Sequence, residues 1–275
     1  MRTIASRGTT VLAWAIVSIG MIVAIFPFVW MLRTAFGEDS FVRGLSLLPE
    51  RLTLHNFVSA WEHGGMAQAM LNGAIVSLAT LALQLVTAIP AAYVFAKVPF
   101  RGRGLWYGLV LVSLLIPFQA IVIPLFLGVN ALGVTNTLTA LIVPSAISAF
   151  GIFLLRQYMV TIPDALIDAA RMDGFGHLNT MLRVVIPLSK PAILTFSLFS
   201  IFGSWNEYLW PLMVARSDVV RTPPLALAML QNDTINIDFG ALAAAAVIVT
   251  LPVIVLFLIA RRSFVAGIAG GEVVG

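Results

Sequence analysis

Long apolar runs separated by short polar segments dominate the sequence. A membrane with a hydrocarbon core of about 30 Å is crossed by a helix of about 20 apolar residues. The charge-free stretch 104–155 has 52 residues, too many for one crossing, and turn-forming residues divide it between Gly128 and Thr137. The predicted spans are 11–32, 68–96, 104–127, 138–158, 192–214 and 240–260. The pattern therefore predicts an all-α, polytopic membrane protein, with one transmembrane domain over residues 1–275.

The prolines within these runs modify this picture. Pro90 lies near the end of the second predicted span, and Pro117, Pro124 and Pro144 lie in the third and fourth. Proline in a membrane helix frees backbone groups that only neighbouring protein can satisfy. These spans are therefore predicted to be irregular and packed against protein rather than lipid.

Composition agrees with a membrane protein. Only 10% of the residues are charged and the mean hydropathy is +1.01, whereas soluble domains have about 25% charged residues. The net charge of +4 gives too weak a field to indicate nucleic acid as a partner. The chain has no cysteine, which excludes disulfides and thiol chemistry. His55, His63 and His177 lie far apart, so no metal or other cofactor is predicted.

The first apolar run has a second interpretation. Arg2 and Arg7 precede a charge-free stretch, 8–32, in the order expected of a signal peptide. The stretch is too long for a signal-peptide core and lacks a convincing small-residue cleavage site. The first run is therefore interpreted as a span.

Basic residues set the predicted orientation. Six spans place the N-terminus, the loop 97–103, the loop 161–191 and the C-terminus on one side of the membrane. Eleven of the 16 Lys and Arg residues flank the spans on this side, and five lie on the other. Because basic residues concentrate on the cytoplasmic side, both termini and the loop 161–191 are predicted to be cytoplasmic.

The loop 161–191 has the pattern helix, break, helix. Thr161 and Asp164 have the spacing of a capping box, and Asp168 and Arg171 are placed to pair. Gly174 fits a left-handed helix end, and a second helical run, 177–185, is expected to stop before Pro187. Small alanines leave one side of the first helix slim enough for a partner's groove, although an ordinary cytoplasmic loop explains the same features.

The motif in this loop resembles the EAA loop of ABC-importer permeases. Asp168-Ala169-Ala170 is followed by Asp173-Gly174 and then by Ile186-Pro187, where the family has Glu-Ala-Ala, Asp-Gly and a later Leu-Pro. The similarity extends over nearly the whole chain to the glycine-containing tail, 264–275, and is greatest to the carbohydrate-uptake, maltose-type branch. Two residues differ from the family pattern: Asp168 has a shorter side chain than the family's glutamate, and Phe175 replaces the alanine that commonly follows Asp-Gly. Both differences concern the implied contact with the ATPase.

The resemblance implies a non-catalytic permease subunit in a bacterial or archaeal cell membrane. Its implied partners are a homologous second permease, a dimer of ABC ATPases, an extracytoplasmic solute-binding protein and membrane lipid. The implied solute is a sugar, an oligosaccharide or a polyol phosphate. The implied ATPase-docking residues are Asp164, Ala165, Asp168, Ala169, Ala170, Arg171, Asp173, Gly174 and Phe175.

One ionisable residue, Glu207, lies clearly within a predicted span, in the sequence Ser-Trp-Asn-Glu-Tyr-Leu-Trp. An intramembrane carboxylate is costly and is a candidate for function. Trp205, Asn206, Glu207 and Tyr208 are therefore candidates for a translocation path in which aromatic rings stack on a sugar. The structural alternative is an interfacial aromatic belt, with Glu207 near the headgroups or bonded to a neighbouring helix.

Two other classes of function have less support in the sequence. An ion-coupled secondary transporter would use Glu207 as its coupling carboxylate, but such folds commonly contain inverted repeats and none is evident. An intramembrane enzyme needs a nucleophile with a base, and no such set is apparent. No Gly-x-x-x-x-Gly-Lys-Ser/Thr sequence occurs, so ATP is expected to bind to a partner.

The orientation can be tested with reporter fusions. A reporter fused after Gly176 is expected to behave as cytoplasmic, and one fused after Asp233 as extracytoplasmic, because the basic residues are distributed eleven to five. Alkaline phosphatase and a fluorescent protein, active on opposite sides of the membrane, give the readout. The same location for both fusions would contradict six spans.

Overall fold

The computed structural model describes residues 7–38, 48–62, 64–231 and 238–269. Arg2, His63, Asp233 and the last part of the glycine-containing tail lie outside these ranges. The side chains of residues 7–11 and 260–269 are likewise not described.

Helices make up nearly all of the regular structure. Among the described residues no β-strand forms, and one isolated antiparallel bridge joins Gly37 to Leu52. The prediction of an all-α chain is confirmed. The helices are α1 (Arg7–Phe36), α2 (His55–Glu62), α3 (Met66–Lys97), α4 (Arg103–Ser113), α5 (Phe118–Ala131), α6 (Leu138–Ile142), α7 (Ala149–Val160), α8 (Asp164–Met172), α9 (His177–Thr180), α10 (Ile186–Leu188), α11 (Lys190–Asn206), α12 (Leu209–Val214), α13 (Pro223–Met229) and α14 (Phe239–Ala269). Short 3₁₀ turns cover Val143–Ser145 and Asp218–Val220, and a π-helical turn covers Met181–Val185.

Within the described ranges, three helices are long and apolar enough to cross a membrane unaided: Leu12–Phe36, Met66–Lys97 and Phe239–Ile259. Three further crossings are possible if each of three bent helix pairs forms one span. These pairs are Arg103–Ser113 with Phe118–Ala131, Leu138–Ser145 with Ala149–Val160, and His177–Leu188 with Lys190–Asn206.

The third predicted span, 104–127, is broken in two. Helices α4 and α5 meet at an angle of 94°, and α5 begins directly after Pro117. Proline cannot donate a backbone hydrogen bond, and it forces the preceding residue out of the helical region. The predicted turn after this span is present but begins later, because α5 continues through Gly128 to Ala131 and the chain then turns at Gly133 and Asn136, both with positive φ.

The last two predicted spans before α14 are also interrupted. The fourth, 138–158, bends by 41° after the proline-containing 3₁₀ turn. The fifth, 192–214, starts earlier, at Lys190, and stops at Asn206, so that Glu207 and Tyr208 separate α11 from α12.

The second helical run of the loop 161–191 does not end before Pro187, as the sequence suggested. It continues to Leu188 and bends by 79° into α11. In a regular α-helix, the ring of Pro187 would clash with the carbonyl of the residue four positions earlier. The π-helical turn immediately before Ile186 is wider than an α turn, which relieves this clash.

The chain divides into two compact units, one formed by 1–67 with 227–251 and the other by 68–226 with 252–275. In the first unit, Asn56 is buried and its amide donates to the carbonyls of Thr34, Ala35 and Gly37 over 2.8–3.4 Å. The last carbonyls of a helix have no partner within the helix, so Asn56 completes the end of α1. Most apolar side chains of α1 from Leu12 to Leu32 are exposed, as expected for a surface that faces lipid or another protein.

In the second unit, the core forms around α3. The half that ends at Lys97 packs on α7, α8 and α11 through buried residues such as Ala88, Leu155, Ile167 and Phe196. A second cluster joins the other half of α3 to α5, α6 and α12 through Val76, Val122, Leu141, Trp210 and Val214.

Polar side chains of α3 bond the backbone where other segments lose regular helical structure. Asn72 donates to the carbonyls of Val219 and Arg221, both at 2.8 Å. Gln84 donates to the carbonyl of Ser145 at 2.8 Å and Thr87 to that of Ala146 at 2.9 Å, between α6 and α7. Carbonyls freed within a membrane need such partners, so α3 stabilises the irregular parts of its neighbours.

Helices α7 and α11 approach closely at a glycine. A Cβ atom placed on Gly151 would lie 2.5 Å from the ring of Phe196, which is fully buried on α11. Small residues allow membrane helices to approach each other in this way.

Replacing Gly151 by alanine is expected to lower the free energy of unfolding by about 1–3 kcal/mol, the usual cost of overpacking a core. Thermal unfolding of the protein in detergent measures the change. The matched control is Gly108→Ala in α4, where a new Cβ meets nothing within 4 Å and stability is expected to rise by roughly 0.5–1 kcal/mol. An equal rise for both variants would contradict the close contact.

Candidate functional site

Helix α8 begins without the capping box that the sequence suggested. The hydroxyl of Thr161 donates to the carbonyl of Tyr158 at 2.7 Å, and no side chain caps α8 after Pro163. The reason is geometric: Thr161 is the C-cap of α7 and retains helical backbone angles, so its side chain points back along α7 instead of forward.

Lys97, at the end of α3, provides the contact at the start of α8. Its ammonium donates to the Asp164 carboxylate at 2.6 Å and to the carbonyl of Ile162. The Lys97 side chain is 4% exposed, whereas that of Asp164 is 81% exposed. The hydrogen bond from Lys97, together with its positive charge, holds the pKa of the Asp164 carboxyl below its ordinary value. Asp164 therefore stays charged, as suits a helix N-terminus.

Helix α8 ends as predicted. Gly174 has a φ of +80°, the left-handed conformation that glycine adopts without penalty. The N–H of Phe175 donates to the carbonyl of Ala170 at 2.9 Å, and the N–H of Gly174 to that of Arg171 at 3.0 Å. These two bonds define a Schellman motif. The predicted pair between Asp168 and Arg171 is also present, at 3.4 Å.

The two faces of α8 differ. Ile167 and Ala170 are buried against the rest of the chain. Ala170, a predicted docking residue, therefore lies on the packed face of α8 and not on its exposed face. The other predicted docking residues are exposed, apart from Phe175, which is half-buried with its ring 5.5 Å from the Arg183 guanidinium. The exposed residues are Asp164, Ala165, Asp168, Ala169, Arg171, Asp173 and Gly174.

Sequence reasoning missed two apolar residues on this surface. Leu166 is exposed, and Met172 is 83% exposed. Exposed apolar side chains that lie close together are typical of contact surfaces. In the sequence both have the spacing of an ordinary amphipathic helix, which is why they did not stand out.

A cavity of about 260 Å³ lies among α3, the junction of α6 with α7, α11 and α12. We name it the polar cavity. Its polar lining residues are Thr80, Gln84, Ser145, Ser148, Ser200, Ser204, Glu207 and Thr222. Aromatic residues complete the wall: Phe150, Phe196, Phe199 and Trp210.

Glu207 makes contacts that bear on both interpretations considered for it. It lines the polar cavity, and its carboxylate accepts a hydrogen bond at 3.1 Å from the backbone N–H of Trp210 at the start of α12. The indole of Trp210 in turn donates to the carbonyl of Ala140 at 2.9 Å. Glu207 therefore both stabilises a helix end and presents its carboxyl group to the cavity.

The other predicted path residues do not line the polar cavity. Trp205 is buried beside a separate apolar cavity that Ser77 and Pro252 also line. Asn206 is exposed, and its amide donates to the carbonyl of Phe202 within the same helix. Tyr208 is exposed. These side chains diverge because α11 ends at Asn206, so consecutive residues no longer follow one helical path.

The remaining polar lining was not singled out from the sequence. The Ser200 hydroxyl donates to the Gln84 amide oxygen at 2.8 Å. The hydroxyls of Thr80 and Thr222 are buried without a hydrogen-bond partner among the described residues. A signal does exist, since Asn72, Thr80 and Gln84 recur at multiples of four residues in an apolar helix and so share one face.

Comparison with known proteins places the chain in a family. Residues 84–269 match the family model described as binding-protein-dependent transport system inner membrane component. The arabinooligosaccharides transport system permease protein AraQ of Halalkalibacterium halodurans is 31% identical over 98% of this chain and 99% of its own length. The lactose transport system permease protein LacG of Rhizobium radiobacter is 28% identical over 98% of both chains.

The solved structures agree on the fold. A chain from the crystal structure of a bacterial ABC transporter involved in the import of the acidic polysaccharide alginate superposes with a TM-score of 0.87. It is 22% identical and covers 95% of this chain and 98% of its own. The fold of the chain is thus one that is known experimentally, and the chain belongs to the family of binding-protein-dependent transport system inner membrane components.

Proposed function

We propose that this chain is a permease subunit of an ATP-driven importer for a sugar or a related solute. The observation that carries the proposal is the similarity, over nearly the full length of both chains, to the arabinooligosaccharides permease protein. Other relatives are named for lactose and for sn-glycerol-3-phosphate, so the proposal stops at the class of hydroxyl-rich solutes.

The chain supplies the membrane path and a partner supplies the ATP hydrolysis. In the proposed assembly, a second permease lies beside it, a dimer of ATPases lies beneath and a solute-binding protein delivers the solute from outside. Both termini are proposed to be cytoplasmic, on the side of the ATPases. The chain contains no P-loop sequence and is proposed to make or break no bonds in the solute.

The exposed face of α8 is the proposed docking site for the ATPase. It presents small side chains, Ala165 and Ala169, flanked by the charged pair Asp168 and Arg171. Such a face lets a groove approach the helix backbone closely, with charges at its rim. When ATP closes the ATPase dimer, the docked helix moves and the spans change between inward- and outward-facing arrangements.

A bulky residue on this face is expected to abolish docking. The wild-type chain, purified in mild detergent, should bring with it an ATPase and a second permease, whereas Ala169→Trp should insert in the membrane and lose the ATPase. Ala169→Ser, which stays small, is the control. A wild-type chain that transports alone would contradict the importer, and retention of the ATPase by Ala169→Trp would contradict docking at this face.

The end of α8 gives a second test of the same proposal. Gly174→Val is expected to strain the helix end by about 1 kcal/mol or more, because a β-branched residue resists a positive φ, and to weaken ATPase co-purification. Gly176→Val is the matched control, since its φ is −73° and a new Cβ meets nothing within 4 Å. Equal co-purification by both variants would show that the left-handed turn is dispensable.

The polar cavity is the proposed contact with the solute. Carboxylate, amide and hydroxyl groups accept and donate hydrogen bonds to a polyol, and the rings of Phe150, Phe199 and Trp210 suit the apolar face of a sugar. The volume of about 260 Å³ is close to the lower end of ligand pockets, enough for a single sugar unit at a time.

Glu207→Gln is expected to assemble normally, because the amide oxygen can accept the same bond from Trp210, but to transport less because the charge is lost. Glu207→Ala also removes that bond, which costs about 0.5–2 kcal/mol by analogy with helix caps, so less complex should assemble. Uptake of labelled arabinotriose, lactose and maltose into vesicles is measured per assembled complex. Asn206→Ala is the control, and unchanged uptake per complex in Glu207→Ala would leave Glu207 with a structural role only.

A further inference from the structure

Helix α3 runs for 32 residues, from Met66 to Lys97. Its middle supplies Thr80 and Gln84 to the polar cavity, and its last residue contacts the start of α8. Gln84 and Lys97 are separated by about 20 Å along the helix at 1.5 Å per residue. One helix, which stays continuous through Pro90 despite the predicted irregularity, therefore contacts both the cavity and the segment proposed to dock on the ATPase.

Lys97 contacts the start of α8 through an ammonium group on a buried side chain. The side chain is 4% exposed, and an ammonium group that is removed from water is costly unless it is paired and hydrogen-bonded. Its partners are the Asp164 carboxylate and the carbonyl of Ile162, one on each side of Pro163. Separating α3 from α8 would leave a buried charge without partners, so the two segments favour moving together.

Nearby residues reinforce the same junction. Arg156, on α7, donates to the carbonyl of Phe95 at 3.3 Å, and its guanidinium lies 4.0 Å from the centre of the Tyr107 ring. Tyr93, one turn before Lys97, has its hydroxyl 3.4 Å from Nδ1 of His177, which begins α9 after the Gly174 turn. The last turns of α3 thus contact the chain both before and after α8.

We propose that Lys97 is a positioning residue that transfers displacement of α8 to α3, and through α3 to the wall of the polar cavity. This proposal rests on the docking of the ATPase at α8 proposed above. Lys97 itself contacts neither ATP nor solute. Its two bonds fix the start of α8 to the one helix that continues to Thr80 and Gln84.

The two bonds are expected to contribute unequally. The carboxylate of Asp164 is largely exposed, and exposed ion pairs are weak. The bond to the Ile162 carbonyl has no such competition, because the Lys97 side chain is buried. Loss of the ammonium should therefore uncouple the helices more than loss of the Asp164 charge.

The test uses the whole complex in lipid nanodiscs, with spin labels on Val86→Cys in α3 and Leu132→Cys after α5. Both positions are exposed and the chain has no other cysteine. In the otherwise unchanged chain, a non-hydrolysable ATP analogue should alter the distance between the labels. Lys97→Met should retain the ATPase and lose this change. Lys97→Arg, which keeps a charged donor, should restore it, and Asp164→Asn should reduce it. Arg101→Met, in the same loop and exposed, should leave it intact.

Each outcome bears on the proposal separately from the docking itself. A full change of distance in Lys97→Met, with the ATPase bound, would overturn the role of Lys97 and leave docking untouched. Absence of the ATPase from the unsubstituted complex would overturn the proposed function and this proposal with it. If Lys97→Met fails to assemble, Asp164→Asn and Lys97→Arg decide, and a full change in Asp164→Asn would contradict the transfer.

Discussion

Backbone carbonyls that lose their helical partners inside a membrane must find others, and the second unit of this protein depends on that constraint. Three of its candidate crossings are bent helix pairs, and each bend frees polar groups that lipid cannot satisfy. Helix α3 and the indole of Trp210 provide several of the partners, at the carbonyls of Ala140, Ser145 and Ala146. The bend between α6 and α7 is thus stabilised by the polar face of α3 and by Trp210. The polar cavity lies beside the same face, where the Thr80 hydroxyl has no hydrogen-bond partner among the described residues.

The sequence predicted features that depend on a few neighbouring residues. The left-handed Gly174, the pair between Asp168 and Arg171 and the positions of the apolar runs follow from local chemistry or from counts over a window. Counting apolar residues over a window does not locate a break in a helix. For this reason 104–127 was predicted as one helix although Pro117 divides it. Thr161 was assigned to the wrong helix because a cap depends on where the preceding helix ends.

The contacts between distant segments were beyond the sequence. A lysine at the end of α3 fits the basic flank of any membrane span, so nothing marked Lys97 as the partner of Asp164, 67 residues further along. Glu207 stood out in the sequence as an ionisable residue within a span. The sequence could not show that one carboxylate oxygen accepts a hydrogen bond from Trp210 while the side chain also lines the polar cavity. The sequence also could not show that the hydroxyls of Thr80 and Thr222 line one cavity, because only the fold brings α3 close to the segment before α13.

The π-helical turn Met181–Val185 has a consequence for exchanging parts between relatives. A π turn contains one residue more than an α turn. Deleting a residue there would restore regular α-helix, turn the preceding segment by about 100° and shorten it by about 1.5 Å. The direction in which α8 faces is thus set by a count of residues as much as by their chemistry. A chimera that borrows this segment from another permease would keep that direction only if the number of residues between Gly174 and Pro187 is preserved.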